Sequence, residues 1–216
     1  MINNIIFDFN GTIIDDGRLC YQIEVDSLPL KNKDSFNYET YRDIFCHPIT
    51  EYYKKLGLDD KNYDYGKMNE IFFNDYEKRY KKEAKLFDGV KETLTYFKNK
   101  GYKLYILSAT EINLLKEQLE YFDILKYFDD FIASNKKDAQ GKKDYGKEFV
   151  NKLNLNKENA ILIGDTVHDF EVGEYLNVNI LLFSKGHNSL KQLSSLNAPI
   201  VSSYLEIRNY IEDLNK

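Results

Sequence analysis

Three aspartates, a serine and a lysine carry the chemistry this sequence offers. Asp8 ends the apolar run Ile5-Ile6-Phe7 and is followed by Phe9-Asn10-Gly11-Thr12-Ile13. β-Branched and aromatic residues, too few for an ordinary helix and halted by Asn-Gly, predict a buried strand that turns sharply. Ser108 follows Tyr105-Ile106-Leu107 in the same way. Asp165 follows Ala160-Ile161-Leu162-Ile163-Gly164, with Asp169 one helical turn further on. A polar residue at the end of one strand is commonplace, and Asp8 alone reads equally well as an exposed aspartate in an Asx turn. Several such ends at one edge of a parallel sheet converge on the crevice where open α/β sheets bind ligands. A carboxylate there serves as nucleophile or metal ligand. Asp8, Asp165 and Asp169 brought together repel one another unless a cation is present, and oxygen donors of this kind suit magnesium. Ser108 would hydrogen-bond a phosphate oxygen. A lysine to balance phosphate charge is offered by Lys142 or Lys143, in a loop ahead of the next helix.

The elements that must position these groups alternate. After the first strand, residues 13–19 read as a short connection, and residues 21–85 read as helical. Helices are predicted at Tyr38–Phe45, Pro48–Leu56 and Tyr65–Lys82, the last with Met68, Ile71, Phe72, Tyr76 and Tyr80 on one face. From Val90 the pattern changes. Helices are predicted at Val90–Lys100, Glu111–Phe122, Asp144–Leu153, Phe170–Leu176, Ser189–Leu193 and Tyr204–Leu214. Strands are predicted at Tyr102–Leu107, Asp130–Ala133, Ala160–Ile163, Asn179–Phe183 and Ile200–Val201. Strands alternating with helices of this length mean βαβ units: an α/β fold, a doubly wound parallel sheet, interrupted after its first strand by a helical insertion. The domain reading is therefore residues 1–16 and 84–216 as core, and 17–83 as an inserted helical unit.

Composition narrows the function. A chain of 216 residues with 43% hydrophobic content can bury a core, and a net charge of −5 argues against a nucleic-acid groove. The basic cluster Lys78, Arg79, Lys81, Lys82 and Lys85 falls at the end of a predicted helix, where it suits the macrodipole. Two cysteines, Cys20 and Cys46, form no metal or disulfide pattern, and no apolar run approaches 18 residues. The first residues lack a signal-peptide pattern. The expectation is a soluble cytoplasmic protein with no nucleic-acid or membrane partner.

These motifs resemble those of the haloacid dehalogenase superfamily of phosphohydrolases. Asp8-Phe9-Asn10-Gly11-Thr12 is similar to the family's first motif, Asp-x-Asp-Gly-Thr, with one departure. Tyr105-Ile106-Leu107-Ser108 matches the second, Lys142 (with Lys143 close behind) the third, and Gly164-Asp165-Thr166-Val167-His168-Asp169 the fourth. Phe87-Asp88-Gly89-Val90 resembles the return from cap to core, and the helical insertion lies where the superfamily carries its C1 cap. The layout is similar to the phosphoglycolate phosphatase branch. The resemblance implies a Rossmann-like core, an aspartyl-phosphate on Asp8, and magnesium held by Asp8, the main-chain carbonyl of Asn10, Asp165 and Asp169. It implies phosphate contacts from Ser108, Ala109, Lys142, Gly11 and Thr12, and a cap that closes over the crevice and selects the substrate.

The departure is Asn10, where family phosphatases carry an acid–base aspartate. An amide hydrogen-bonds but transfers no proton in this pH range. Loss of a positioned acid–base group typically costs ~10²–10⁴ in rate. Two functions follow: a magnesium-dependent phosphatase with reduced turnover, or a catalytically impaired relative that binds a phosphorylated ligand or a protein. His168, inside the fourth motif, reads as a site residue or a satisfied surface residue with equal weight. His187 precedes a helix that Asn188 or Ser189 would cap, and His47 reads as a helix start.

Overall fold

The fold follows from the strand pattern in a computed structural model that describes residues 1–30, 33–58, 61–136 and 141–216. Strand β1 (Asn4–Phe7) lies in the middle of a six-stranded sheet, with β4 (Lys103–Glu111) and β5 (Asp130–Ser134) on one side. On its other side are β6 (Ala160–Gly164), β7 (Asn179–Phe183) and β8 (Ile200–Val201). Every pairing in this sheet is parallel. The strand order reverses at β1, so the switch point lies at the carboxyl end of the strand that leads into Asp8.

Alternation explains why both faces are covered. Ile5, Phe7, Leu104, Ile106, Ile161 and Ile163 belong to one apolar cluster, while Ile6, Tyr105, Leu107 and Leu162 belong to another. Successive strand residues point to opposite faces, and here both faces are apolar, so helices must pack on each. The second cluster is closed by Phe149 and Val150 of α7 (Lys143–Lys152) and Val172 and Leu176 of α8 (Val167–Leu176). The first is closed by α5 (Val90–Asn99), α6 (Ile112–Tyr121) and α10 (Tyr204–Leu214). A short helix α9 (Leu190–Leu193) precedes β8.

Between Asp8 and α5 the chain makes a two-stranded antiparallel pair, β2 (Ile14–Asp15) with β3 (Lys85–Leu86), and inserts between them, among the described residues, four α-helices. They are α1 (Gly17–Ser27), α2 (Tyr38–Ile44), α3 (Ile49–Lys55) and α4 (Tyr65–Glu83). The predicted connection at 13–19 is corrected here: β2 and the first turn of α1 occupy it. The start of α1 escapes prediction because its N-cap, Asp16, makes no capping bond. The Asp16 carboxylate instead accepts from the Gly11 N–H, Asn10 and Tyr76. The basic cluster on α4 is more than a solvated turn. Arg79 donates to Glu83 at 2.8 Å and to Asp26 at 2.9 Å, joining α4 to α1. Among the described residues no helix is long and apolar enough to cross a membrane.

Candidate active site

Asp8 leaves β1 one residue after Phe7, which is paired with Ile106 on one side and Ile163 on the other. Its amide donates to the Ile163 carbonyl at 2.8 Å, so backbone bonding to the neighbouring strand sets where the side chain emerges. The turn that follows needs Gly11. Its φ is +71°, and a Cβ there would lie 2.3 Å from Asp165 Oδ2 and 2.4 Å from the His187 ring. Gly186 is equally constrained, since a Cβ would lie 2.1 Å from the same Asp165 oxygen. Two glycines thus let the chain close around one carboxylate.

Asp165 follows β6 and is fully buried. Its Oδ1 accepts from the Thr12 hydroxyl at 2.8 Å and its Oδ2 from the His187 amide at 2.6 Å. Thr12, expected at the phosphate, therefore spends its hydroxyl on orienting Asp165. Asp169 sits in the first turn of α8. That helix starts at Val167, three residues earlier than predicted, because Thr166 and Asp169 form a capping box. Asp169 Oδ2 accepts from the Asp165 and Thr166 amides and the Thr166 hydroxyl, which leaves Oδ1 to Lys142 at 2.6 Å.

Lys142, only 2% exposed, is the residue before α7. Its ammonium pairs with both Asp8 and Asp169 and donates to the Leu107 carbonyl at 3.0 Å. The choice between the two lysines is thereby decided as to place: Lys143 is half-exposed and pairs with Glu171 at 3.0 Å. Ser108 and Ala109 are on the same rim, although β4 runs on past them to Glu111, with a register shift after Leu107. The Ser108 hydroxyl accepts from the Thr110 amide at 3.1 Å.

Charge is out of balance in this cluster. Burial raises the Asp8 pKa well above the usual range; Lys142 opposes this, and the neighbouring Asp169 and Asp165 carboxylates add to it. Burial also raises Asp165, to about 6, against the pull of His187. Asp169 is pushed up by burial too, but Lys142 and the Thr166 hydroxyl bring it down to about 2. Burial works against the Lys142 charge, yet Asp169 and Asp8 hold its pKa above the ordinary value. Three carboxylates thus share one ammonium. Oxygen atoms from all three lie within 4.8 Å of one another, with no ring nitrogen or thiol in the set. An all-oxygen, electron-rich donor set of this kind fits magnesium.

Asn10 lies beside this cluster, held on both ends. Its amide nitrogen donates to Asp16 Oδ2 at 2.6 Å and to the Tyr76 hydroxyl at 2.9 Å, while its oxygen accepts from Thr110 at 2.6 Å. Asp16 also faces His187 Nε2 at 3.3 Å, and His187 Nδ1 meets the Tyr41 hydroxyl at 2.6 Å. Burial disfavours the His187 cation, but the Asp16 carboxylate raises its pKa to about 9. Sequence reasoning missed Asp16, Tyr76 and Thr110 as site residues, and no local signal marks them, since each is brought in from a different element. His187 lines the cavity, and Ser189 caps the following helix as expected. His168 lines it as well. Burial, and then the facing His47 ring at 5.0 Å, lower its pKa to about 3.

A cavity of about 130 Å³ runs from Asp8 and Lys142 up to the inserted helices. That is several times the ~10–15 Å³ needed by one water. It admits a small molecule.

A profile of the haloacid dehalogenase-like hydrolases matches residues 5–183. The chain is 25% identical over 201 residues to a pyrophosphatase PpaX of Listeria innocua, covering 88% of each. It is 23% identical over 221 residues to a phosphoglycolate phosphatase of Nitrosococcus oceani, covering 96% of this chain and 95% of that one. Among solved structures, a predicted phosphatase from Clostridium acetobutylicum superposes with a TM-score of 0.78 at 22% identity, covering 99% of both chains. With the profile spanning the first strand through β7, this chain belongs to the haloacid dehalogenase-like hydrolases.

Proposed function

We propose that this hydrolase is a magnesium-dependent phosphatase that acts on a small phosphorylated metabolite through an aspartyl-phosphate on Asp8. The observation that carries the reading is the convergence of Asp8, Lys142, Asp165 and Asp169 at the switch point, below a cavity of small-molecule size. Curated relatives that span nearly the whole chain carry phosphatase names, which agrees with it.

In this reading an Asp8 carboxylate oxygen attacks phosphorus and the bond to the leaving oxygen breaks. Water then cleaves the aspartyl-phosphate and releases phosphate. Lys142, the Ser108 hydroxyl and the Ala109 amide hold the equatorial phosphoryl oxygens, whose charge grows in the transition state, while the Gly11 and Thr12 amides are spent within the turn on Asp16, Ile14 and Phe9. Asp165, Asp169, Asp8 and the Asn10 carbonyl would hold magnesium, which when bound neutralises phosphate charge. Asn10 has no proton to transfer and both of its amide hydrogens are taken by Asp16 and Tyr76, so the leaving oxygen departs without a proton from position 10. We take residues 17–83 as a cap, since α1 to α4 form the roof of the cavity.

The fixed amide of Asn10 also favours a second reading, a phosphate-ester binding protein with little turnover. Phosphate release from a panel of esters with magnesium separates the two. The phosphatase reading expects release by the wild type and none by Asp8→Asn. Equal release by both would sink the role given to Asp8, and no release from any ester would favour the binding protein.

A further inference from the structure

The roof of the cavity is aromatic and holds one carboxylate. Tyr41, Phe45, Tyr53, Phe72 and Tyr76 line it, from α2 through α4. Glu24 of α1 also lines it, 2% exposed, and accepts one hydrogen bond, from the Tyr52 hydroxyl at 2.5 Å to Oε2. Its other oxygen receives none from a described residue. Across from it Asn69 is 8% exposed; its carbonyl oxygen accepts from Tyr53 at 2.8 Å. Glu24 lies outside the Asp8 cluster and contacts none of its members by hydrogen bond.

The cations that line the cavity are already engaged. Lys142 is the only lysine or arginine among the described lining residues, and it is paired to Asp8 and Asp169. His187 is bonded to Asp16 and Tyr41, although its charge reaches Glu24. Among the described residues the roof itself holds no lysine or arginine, and the cation nearest to it, His187, is already engaged by Asp16 and Tyr41. Burial raises the Glu24 pKa to about 8, so the roof on its own holds mostly the neutral acid near neutral pH; an anionic leaving group would keep it so, whereas an ammonium would draw off its proton and complete an ion pair. A buried carboxylate without a cationic partner is itself costly, and an incoming ammonium would relieve it. Aromatic faces around such a carboxylate add cation–π attraction for the same charge.

We propose that the leaving group of the substrate is an alcohol with a short apolar body and an ammonium end, the ammonium seated between Glu24 and the aromatic roof. The inference rests on the phosphatase reading only for the phosphoryl end; the roof is argued from its own residues. It separates this chain from relatives named for pyrophosphate and phosphoglycolate, whose leaving groups are anionic.

A matched set of phenyl phosphates tests it, all with the same leaving oxygen chemistry. The arms in the para position are 2-aminoethyl, ethyl and 2-carboxyethyl; inorganic pyrophosphate and 2-phosphoglycolate complete the set. The expected order of kcat/KM is ammonium above neutral above carboxylate, with at least roughly tenfold between the first two. Glu24→Gln keeps the hydrogen bond to Tyr52 and should bring the ammonium-to-neutral ratio close to one. A carboxylate arm, pyrophosphate or phosphoglycolate turned over as well as the ammonium arm would overturn the inference and leave the phosphatase reading standing. An unchanged ratio in Glu24→Gln would overturn the role of Glu24. If no ester is hydrolysed, calorimetric binding of the same set to the Asp8→Asn protein reads the order directly. The order seen without turnover upholds the roof and removes the phosphatase reading, and no order removes the inference.

Discussion

At the scale of single residues, position 10 bears most directly on the rate of the proposed reaction. Asn10 is bonded through its nitrogen to the Asp16 carboxylate, so the carboxylate sits six residues further along the chain. Asn10→Asp alone would put two carboxylates at that contact and leave no donor between them. It is expected to destabilise the fold by about 1–3 kcal/mol, the cost of an unmade buried bond. Because the new carboxyl would have a raised folded-state pKa, the loss should be larger at pH 8 than at pH 5. The exchange Asn10→Asp with Asp16→Asn rebuilds the contact with the partners reversed. Thermal denaturation should show the double variant recovering most of the stability. Phosphate release should rise by ~10²–10⁴ over wild type if proton transfer to the leaving oxygen limits the rate. An unchanged rate would mean that it does not.

Lys142 is the second position with a sharp expectation. It is the ammonium shared by Asp8 and Asp169, and Lys142→Met leaves both carboxylates without it. Breaking a buried pair in this way costs about 3–5 kcal/mol. The deficit should shrink at pH 5, where Asp8, already raised by burial, takes a proton. Urea unfolding at pH 5 and pH 7.5 checks both the size and the direction.

At the scale of elements, the ends of helices and strands do most of the positioning. The capping box of α8 fixes Asp169, and the turn after β1 fixes Gly11 against Asp165. Away from the site, Asp129 ties α5 to the start of β4. It accepts from Lys98 at 2.8 Å, Lys103 at 2.9 Å and the Leu104 amide at 2.9 Å. Partial burial raises its pKa, and these three donors outweigh it and lower the value to about 2. A group whose folded pKa is depressed stabilises the fold above its unfolded value and loses that contribution as pH falls. The window here runs from about pH 4 down to about pH 2. Asp129→Asn should cost about 1 kcal/mol at pH 7, discounted for solvent screening, and little at pH 2. A melting series across that window would show the two proteins converging.

At the scale of the whole molecule, core and inserted helices meet at the site, through the β2–β3 pair, and along α4 and α6, where Tyr80 donates to Glu117 and Tyr121 to the Lys81 carbonyl. Arg42 of α2 adds to this, donating to the Ser184, Gly186 and Asn188 carbonyls of the loop after β7. Ligands that bind at the floor should therefore stabilise the molecule as a unit. Magnesium at 100 times its Kd is expected to add ~2.7 kcal/mol by mass action. The melting temperature should rise with magnesium, fall back with a chelator, and respond far less in Asp165→Asn. A rise of equal size in that variant would place the ion elsewhere.

What could be read from the residue string was whatever is encoded locally. The apolar runs before Asp8, Ser108 and Asp165 fixed the strands, because burial on both faces demands continuous β-branched and aliphatic residues. Order and spacing along the chain then placed those three ends on one edge of a parallel sheet. The start of α1 stayed hidden because its capping residue is used by the turn after β1 and by Tyr76 of α4 rather than by the helix it begins. The helix α8 was predicted too short because Thr166 and Asp169 looked like site residues and were also its capping box. Tertiary structure alone decided which of Lys142 and Lys143 faces Asp8 and Asp169, since neighbours in sequence differ here only in which way the chain turns before α7. It alone brought Asp16, Tyr76 and Thr110 around Asn10, from β2's end, α4 and β4, because hydrogen bonds between distant elements leave no periodic trace. The identity of the roof was decided in the same way: Glu24 and five aromatic rings share a cavity only after four helices have packed.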